Sequence, residues 1–456
     1  MRPYLIFVTV ALGLLMYSID TTVVAVAFPS FIRDFHTSVL WAAWTISIYL
    51  IAVAVAMPLM GKLSDSFGYK RIFLFSLMLF TGSSLACGLS PNIYSLILFR
   101  FLQGVGGAAF LPTASGIVSD QFQGNRERAI GLFTSIFPIG GIIGPNIGGW
   151  IVSNYSWRFI FYVNLPTGMV LIVLTLLLLK GSRISSQQRI DYRGAAFMGA
   201  GVIFLMFGLN LVSESFSAGY LFIAVASVFL SITMLLLFFY HEKKEVDPFL
   251  DIALLRSVPF LAANLLNVII GAAVFGVFAF VPLYATTVHG LSTLMSGIIL
   301  TPRSFGMIPA SAVTAIFLTR WGYRRPIVLG LAAIAVSTIL IGESQHLPTI
   351  MSARLGVAGM LSFILLLTGI GVGIALPAAN NACIELMPHR VATIVGLRGM
   401  FRTIGGALGI SQITIVLHLS SNFATGFRIV FTFFGLILLF AIPLAFLMPT
   451  GRRATT

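Results

Sequence analysis

The sequence predicts an all-α membrane protein whose helices cross a lipid bilayer many times. Hydrophobic residues make up 58% of the 456 positions, the mean hydropathy is +1.02, and only 9% of the residues are charged. A soluble domain has roughly a quarter of its residues charged, so this composition excludes an ordinary soluble protein. Long apolar runs favour helices, because a helix satisfies its own backbone hydrogen bonds inside lipid.

Fourteen segments are apolar over about the 20 residues that a helix needs to cross the hydrocarbon core. They are residues 5–26, 41–60, 71–89, 93–118, 130–152, 159–179, 194–212, 220–239, 260–285, 294–318, 326–342, 355–377, 391–417 and 430–447. The first segment loosely resembles a cleavable signal peptide, but Asp20 interrupts it and Pro29 follows the supposed cleavage point. We therefore expect this segment to be retained as a membrane helix.

The positions of the basic residues predict the orientation of the chain. With the N-terminus in the cytoplasm, 19 of the 27 Lys and Arg residues fall on the cytoplasmic side, four on the opposite side and four within the spans. Basic residues accumulate in cytoplasmic loops, so both termini are expected in the cytoplasm of a multi-pass protein of the cell (inner or plasma) membrane. The net charge of +14 is then explained by topology, and no nucleic-acid partner is expected.

Cysteine and histidine give no sign of a metal centre. Cys87 and Cys383 lie in or beside apolar segments, which argues against a disulfide, and their spacing is not that of a metal site. The six histidines are scattered singly, so no metal ligand set is expected. We also expect no cofactor.

An internal repeat is visible at one common offset. QGVGGAAFLPTA at 103–114 aligns with TGIGVGIALPAA at 368–379, and IGGIIG at 139–144 aligns with IGGALG at 404–409. Separately, GYKR at 68–71 recurs as GYRR at 322–325. The repeat predicts an N-terminal six-helix bundle over 1–185, two inserted helices over 186–250, and a C-terminal six-helix bundle over 251–456.

The loop between the second and third spans carries a family resemblance. GKLSDSFGYKR at 61–71 is similar to the signature loop G-x-L-x-D-R-x-G-R-K-R of the major facilitator superfamily. Together with the motifs below, it makes essentially the whole chain resemble the 14-span drug:proton antiporters of that superfamily. The resemblance implies the major facilitator fold, with two six-helix bundles plus two extra helices. The resemblance also implies that this loop stabilises the outward-open state, and we call the loop the latch. The latch residues are Gly61, Asp65, Gly68, Lys70 and Arg71.

Particular roles follow for the latch residues. Gly61 and Gly68 are expected to permit a tight turn and close helix approach, and Lys70 and Arg71 to pair with acids across the interface of the two halves. Asp65 is expected near a helix N-terminus, where the helix dipole favours an anion. Ser66 and Tyr69 stand where the motif is usually basic, so the latch is expected to be weaker. The alternative is an ordinary positively charged cytoplasmic loop.

A membrane-embedded pair is predicted between the first and fourth spans. RFLQGVGGAA at 100–109 resembles the R-x-x-Q-G motif of the family, and IDTTVVAVAFP at 19–29 resembles L-D-x-T-x-x-N-x-A-L-P, with Ala25 and Phe28 as departures. An arginine at membrane depth costs about 2.5–3.5 kcal/mol on insertion scales, so Arg100 requires a partner, and Asp20 is the obvious one. This pair is the predicted proton-coupling site. The alternatives are a packing pair for Arg100 and a polar helix end for Asp20.

The fifth span carries the exporter motif. GGIIGPNIGG at 140–149 resembles the G-x-x-x-G-P-x-x-G-G pattern of exporters in this superfamily, which implies export rather than uptake. Small residues permit close helix packing, and a proline bends a helix. The motif residues are Gly140, Gly144, Pro145, Gly148 and Gly149.

A substrate cavity is predicted from polar and aromatic residues within the spans. Arg303 and Arg402 match positions where relatives often carry arginine, whereas Glu385 is either a loop residue or a cavity acid. An aromatic cavity suits flat lipophilic substrates, although an aromatic belt at the membrane surface is the other interpretation. The predicted cavity residues are Gln103, Trp44, Arg303, Arg402 and Glu385.

The resemblance implies a secondary active exporter that moves lipophilic small molecules out as protons move in, by alternating access. Its partners are then the bilayer, the substrate and protons, and a periplasmic adaptor is left open. A translocator of lipids or lipid-linked precursors on the same fold is the second hypothesis, because four membrane-embedded arginines would suit an anionic headgroup. A membrane-embedded enzyme is the third, but no H-E-x-x-H, G-x-S-x-G or G-x-x-x-x-G-K-[ST] motif occurs.

The predicted topology can be tested by cysteine labelling. In a variant with Cys87 and Cys383 replaced by serine, a single cysteine at Ser186 or Asp247 should react with an impermeant maleimide only from the cytoplasmic side. A cysteine at Ser217 or Gln345 should react only from the opposite side. Labelling of either pair from the wrong side would contradict the 14-span topology.

Overall fold

The computed structural model describes residues 2–122, 129, 133, 136–179, 191–214, 218–245, 257–345, 349–386 and 391–450. Within these residues the secondary structure is helical and no β-strand occurs, as the composition predicts. The chain forms two compact units, Met1–Asp251 and Ile252–Thr456. The finer division into two six-helix bundles and an inserted pair stays a prediction.

Among its described residues, the first unit contains ten α-helices. They are α1 Arg2–Asp34, α2 Val39–Phe67, α3 Tyr69–Gly88, α4 Ile93–Gly107, α5 Phe110–Gln121, α6 Ile136–Asn154, α7 Phe159–Tyr162, α8 Asn164–Leu178, α9 Tyr192–Glu214 and α10 Ala218–Glu242. α1 packs along α6, α4 packs between α2 and α3, and α9 packs along α10. The contact between α1 and α6 therefore joins helices that are distant in sequence.

The second unit begins with a long helix that changes type in its middle. It runs through α11 Val258–Gly271, a π-helix Ala272–Gly276 and α12 Val277–Thr287. The later helices are α13 Thr293–Ile298, α14 Thr301–Trp321, α15 Arg324–Gly342, α16 Thr349–Leu386, α17 Val391–Leu419, α18 Phe423–Phe440 and a 3₁₀ helix Ile442–Leu447. α16 packs against α14 and α15, and α17 packs against α11.

Twelve helices among the described residues are long and apolar enough to cross a membrane. The predicted spans at 130–152 and 294–318 are not among the twelve. The described part of α6 covers Ile136–Asn154, and the second of these regions is divided into α13 and α14, the latter with Arg303 and Arg320. The count of fourteen spans therefore stays a prediction.

Local sequence signals explain where several helices begin and turn. Asn92 accepts a hydrogen bond from the Ser95 backbone N–H at 2.9 Å, and the Ser95 hydroxyl completes a capping box at the start of α4. Gly68, at a φ of +90°, joins α2 to α3, and Gly322, at +68°, joins α14 to α15. This left-handed region strains other residues, so glycine is required in both turns. The repeated GYKR and GYRR segments thus form similar turns.

α10, the second helix of the predicted inserted pair, has the surface of a lipid-facing element. Exposed large apolar side chains follow α10 from its start almost to its end, as at Phe222, Phe229 and Leu236. An apolar surface of this length is stable in a bilayer and would aggregate in water. This exposure matches the interpretation of α10 as a membrane helix.

Trp157 fixes the far end of α1. Its indole Nε1 donates to Asp34 Oδ2 at 3.0 Å, and its ring contacts Phe31 and Phe35 edge-on. The indole is 1% exposed, so this contact is a buried anchor with its polar atom satisfied.

Candidate functional site

A buried ion pair lies inside the first unit. Arg100 of α4 donates from Nη1 to Asp20 Oδ2 of α1 at 2.8 Å. The two side chains are 1% and 0% exposed. The contact between Asp20 and Arg100 that the sequence predicts is therefore present, and its role in proton coupling stays a prediction.

The second carboxylate oxygen is held by two amides. Gln103 Nε2 and Asn164 Nδ2 donate to Asp20 Oδ1 at 2.9 and 3.0 Å. Both amides also donate to the hydroxyl of Ser84 on α3, at 3.1 and 3.0 Å, and this hydroxyl donates to the Phe161 carbonyl at 2.9 Å. Asp20 thus accepts hydrogen bonds from three side chains on two other helices. A burial this complete is tolerated because each oxygen has a partner.

The Arg100 guanidinium is satisfied on several sides as well. Its Nε donates to the Thr45 carbonyl at 3.2 Å, its Nη1 donates to Gln103 Oε1 at 2.7 Å, and its carbon Cζ lies 3.9 Å from the centre of the Tyr49 ring. A cation over an aromatic face contributes about 0.5–2 kcal/mol, more where water is excluded. The network therefore draws α1, α2, α3, α4 and α8 to one point.

Three members of this network are not in the predicted site: Ser84, Tyr49 and Asn164. Asn164 lies in WRFIFYVNLP at 157–166. A polar amide at the start of an apolar helix is the one sequence feature that could have pointed to it. Tyr49 stands out only as an aromatic residue in the second span. Ser84 gives no signal, because serine is common in membrane helices.

The latch loop agrees with its prediction only in part. Gly68 forms the turn, but a Cβ on Gly61 would meet Pro112 at an ordinary 3.8 Å, so Gly61 does not enforce a close approach here. Lys70 Nζ donates to the Leu176 carbonyl near the end of α8 at 3.0 Å. Neither Lys70 nor Arg71 forms an ion pair with a described acidic side chain, and the Asp65 side chain lies outside the described part. The lysine instead satisfies a carbonyl at a helix C-terminus, where the dipole favours a cation.

The exporter motif places a stripe of glycines against α1. A Cβ on Gly140 would lie 2.4 Å from Cβ of Ser18, and one on Gly144 would lie 2.1 Å from Oγ1 of Thr22. A Cβ on Gly148 would lie 2.6 Å from a methyl of Val23. Pro145 and Gly149 are buried in the same helix. The motif therefore sets the distance between α6 and the helix that carries Asp20.

The second unit repeats this packing. A Cβ on Gly405 would lie 2.1 Å from the Val268 carbonyl oxygen, and one on Gly409 would lie 2.5 Å from that of Ala272. Two glycines one turn apart on α17 thus permit backbone contact with the first helix of the second unit. The contact falls at the π-helix, a feature that recurs at functional sites.

A family model now decides the classification. The model of the Major Facilitator Superfamily matches residues 10–410, which is most of the chain. The chain belongs to the Major Facilitator Superfamily. This membership agrees with the glycine-packed helices and the buried pair described above.

Named relatives within the superfamily are similar over most of their length. Multidrug resistance protein 3 of Bacillus subtilis is 31% identical over 409 residues, which cover 88% of this chain and 77% of that protein. The tetracenomycin C resistance and export protein of Streptomyces glaucescens is 30% identical over 424 residues, with coverages of 91% and 76%.

Solved structures show the same fold at low identity. The xylose transporter XylE from E. coli, in a partially occluded inward-open conformation, aligns with a TM-score of 0.63 at 12% identity, covering 97% of this chain and 96% of its own. The human organic anion transporter MFSD10 aligns with a TM-score of 0.65 at 14% identity, with coverages of 97% and 99%. At such identities these structures show the fold alone.

The predicted cavity residues occupy different environments. Gln103 belongs to the Asp20 network, and Trp44 is 7% exposed within the first unit. In the second unit, the Arg303 guanidinium lies 4.0 Å from the Phe278 ring, and that of Arg402 lies 5.5 Å from the Phe275 ring. Both arginines thus flank the π-helix and the start of α12. The prediction that these residues line one substrate cavity remains untested.

Glu385 lies near the end of α16, and its side chain is exposed. Burial raises the pKa of the neighbouring Tyr323 phenol, and the Glu385 carboxylate adds to this shift through repulsion and a hydrogen bond. Tyr323 belongs to the turn between α14 and α15, so Glu385 contacts a loop. This placement fits the loop interpretation of Glu385 better than that of a cavity acid.

One histidine lies beside acidic side chains that are distant from it in the sequence. His241 lies 2.8 Å from Asp191 and 3.8 Å from Glu245, so a histidine does belong to a cluster of potential ligands. Sequence spacing hides the cluster, because Asp191 precedes α9, His241 lies in the last turn of α10, and Glu245 follows that helix.

The close packing of α6 against α1 can be tested by substituting a glycine at the contact. Gly140→Ala would place a methyl group 2.4 Å from Cβ of Ser18 and 3.0 Å from the Ile19 backbone nitrogen, so the helices must separate. Overpacking of this kind costs about 1–3 kcal/mol, and the thermal unfolding midpoint in detergent should fall along with transport. The control is Gly82→Ala on α3, where nothing lies within 4 Å of the new methyl group. Equal midpoints for the two variants would contradict the packing described here.

Proposed function

We propose that this superfamily member is a proton-coupled antiporter that exports lipophilic small molecules by alternating access. One observation carries the proposal: a carboxylate fully buried in a membrane helix, held by Arg100, Gln103 and Asn164. The relatives named for multidrug resistance and for tetracenomycin C export support the export of drug-like compounds.

The proposed coupling step follows from the hydrogen bonds of Asp20. Its ionised carboxylate accepts from three donors, and protonation would remove the negative charge that Arg100 faces. The guanidinium would then be buried without its counter-ion, which is costly, so the helices that carry the donors would rearrange. Binding of a proton from outside and its release to the cytoplasm would thereby drive the exchange between two states.

Location and direction complete the proposal. The protein is a multi-pass membrane protein, and the excess of cytoplasmic Lys and Arg supports cytoplasmic termini in the cell membrane. The glycine stripe of α6 against α1 supports export, because it forms the motif that the exporters share. Transport relatives support a role in transport rather than catalysis.

Translocation of an anionic lipid is the second candidate, and Arg398 favours it. Arg398 is 5% exposed and donates from Nη2 to Asn267 Oδ1 at 3.1 Å. Its Nε and the Nδ2 of Asn267 have no partner among the described residues, and neither Arg398 nor Arg303 forms an ion pair with a described acid. Donors without an acid partner would suit a phosphate or carboxylate headgroup.

A proteoliposome assay tests the two candidates together. Purified protein is reconstituted with an imposed pH gradient, and the movement of lipophilic cations, anions and a fluorescent anionic lipid is measured. Accumulation of a small molecule that collapses when an ionophore removes the gradient would support the antiporter. Lipid movement without small-molecule transport would support the translocator, and transport that ignores the pH gradient would contradict proton coupling.

The carboxylate of Asp20 should be required for coupling but not for binding. Asp20→Asn imitates a permanently neutral side chain, so the variant should exchange substrate down its own gradient and lose accumulation driven by the pH gradient. Asp34→Asn is the matched control, because it makes the same change at the partly exposed end of the same helix. Uphill, pH-dependent export by Asp20→Asn would show that another residue couples transport to protons.

A further inference from the structure

The inserted helix pair ends in a cluster of ionisable side chains outside the proposed transport site. Asp191 immediately precedes α9, and His241 and Glu242 are in the last turn of α10. The backbone N–H of Glu245 donates to the His241 carbonyl at 3.2 Å, so the helical turn continues and Glu245 lies one turn beyond His241. The four side chains thus come from the start of one helix and the end of its neighbour.

Three of these residues bring donor atoms together. His241 Nε2 lies 2.8 Å from Asp191 Oδ1 and 3.8 Å from Glu245 Oε2. One ligand atom from each of Asp191, His241 and Glu245 falls within 4.8 Å of the others. An imidazole nitrogen with two carboxylate oxygens is a donor set that Zn²⁺ accepts in proteins.

Helix capping explains only part of the Asp191 environment. Its Oδ1 accepts from the Gly194 backbone N–H at 2.8 Å, as an N-cap residue does. Its Oδ2 has no N–H donor among the described residues, although the side chain is only 3% exposed. A buried carboxylate oxygen without an N–H donor is costly, and either a proton shared with Glu242 or a bound cation would compensate for it.

A second buried acid increases the need for positive charge. A Cβ on Gly194 would lie 2.2 Å from Asp191 Oδ2 and 2.3 Å from Glu242 Oε1, so both oxygens face the same point above this glycine. Glu242 is 3% exposed. Neither Asp191 nor Glu245 forms an ion pair with a described lysine or arginine. Carboxylates this close require either a shared proton or a bound cation.

We propose that Asp191, His241 and Glu245 form a binding site for a divalent transition-metal ion such as Zn²⁺, with Glu242 beside it. A bound ion would join the start of α9 to the end of α10 and would neutralise the clustered carboxylates. It belongs to the inserted pair and is independent of the proposed proton and substrate chemistry.

Metal binding to the purified full-length protein tests the site directly. The protein is freed of its affinity tag, stripped with EDTA and dialysed against Zn²⁺ buffered by a competing chelator, and bound metal is measured by mass spectrometry. We expect binding near one ion per chain and a higher thermal unfolding midpoint with Zn²⁺, because a ligand of the folded state stabilises it. Mg²⁺ should have neither effect at the same concentration, because it prefers oxygen ligands and its own water.

Variants assign the binding to these residues. Glu245→Gln and His241→Ala should each weaken Zn²⁺ binding at least about tenfold and should remove the Zn²⁺-dependent rise in the unfolding midpoint. His418→Ala, which removes an exposed histidine at the end of α17, should bind as the unmodified protein does.

Two results would overturn the proposal. The first is no bound Zn²⁺ in the unmodified protein, which would leave a shared proton between the carboxyls. The second is unchanged Zn²⁺ affinity in Glu245→Gln, a nearly isosteric change at a partly exposed side chain that the fold should tolerate.

Discussion

Burial of one carboxylate–guanidinium pair in a membrane helix is the constraint on which the first unit depends. Asp20 and Arg100 are removed from water, and each would be costly without the other. The pair persists because amides, a hydroxyl, a backbone carbonyl and an aromatic face satisfy the remaining polar atoms. These partners lie on four helices besides α1, so the electrostatic requirement of one site fixes where five helices meet. The glycines of α6 then allow a sixth helix to press against α1 close to that site.

The two units compensate the charge of a buried arginine in different ways. In the first, the membrane-depth arginine has an acid at 2.8 Å. In the second, Arg398 has the amide of Asn267, and Arg303 has the face of Phe278. Amide and aromatic contacts compensate a buried cation less completely than a carboxylate does. This difference agrees with the proposed exchange of a proton on Asp20 in the first unit and with the proposed attraction of a negative group by the second.

Much of this could be predicted from the sequence, for identifiable reasons. The helices follow from apolar runs, and the partner of Arg100 follows from the cost of an unpaired charge in lipid. The turn at Gly68 follows from a glycine between two apolar helical segments, because glycine adopts a positive φ without strain. The contacts of Asn164 and Ser84 could not be foreseen, because they depend on how α3 and α8 are rotated toward α1. Gly61 and Glu385 show the converse. A motif or a charge suggests a role for each, yet a Cβ on Gly61 would make only an ordinary contact with Pro112, and Glu385 has a tyrosine neighbour. The side chains around His241 could not be placed together from the sequence, because α9 and α10 separate them along the chain.

A double-mutant cycle on stability tests the central claim about the pair most directly. Thermal unfolding in detergent would be compared for Asp20→Asn, Arg100→Gln and the variant with both changes. Because either single change leaves a buried polar group without its charged partner, each should destabilise strongly, by about 3–5 kcal/mol where a full charge is orphaned. The double variant should lose much less than the two single losses together. Additive losses, within about 0.5 kcal/mol, would show that the two residues do not depend on each other and would contradict this account.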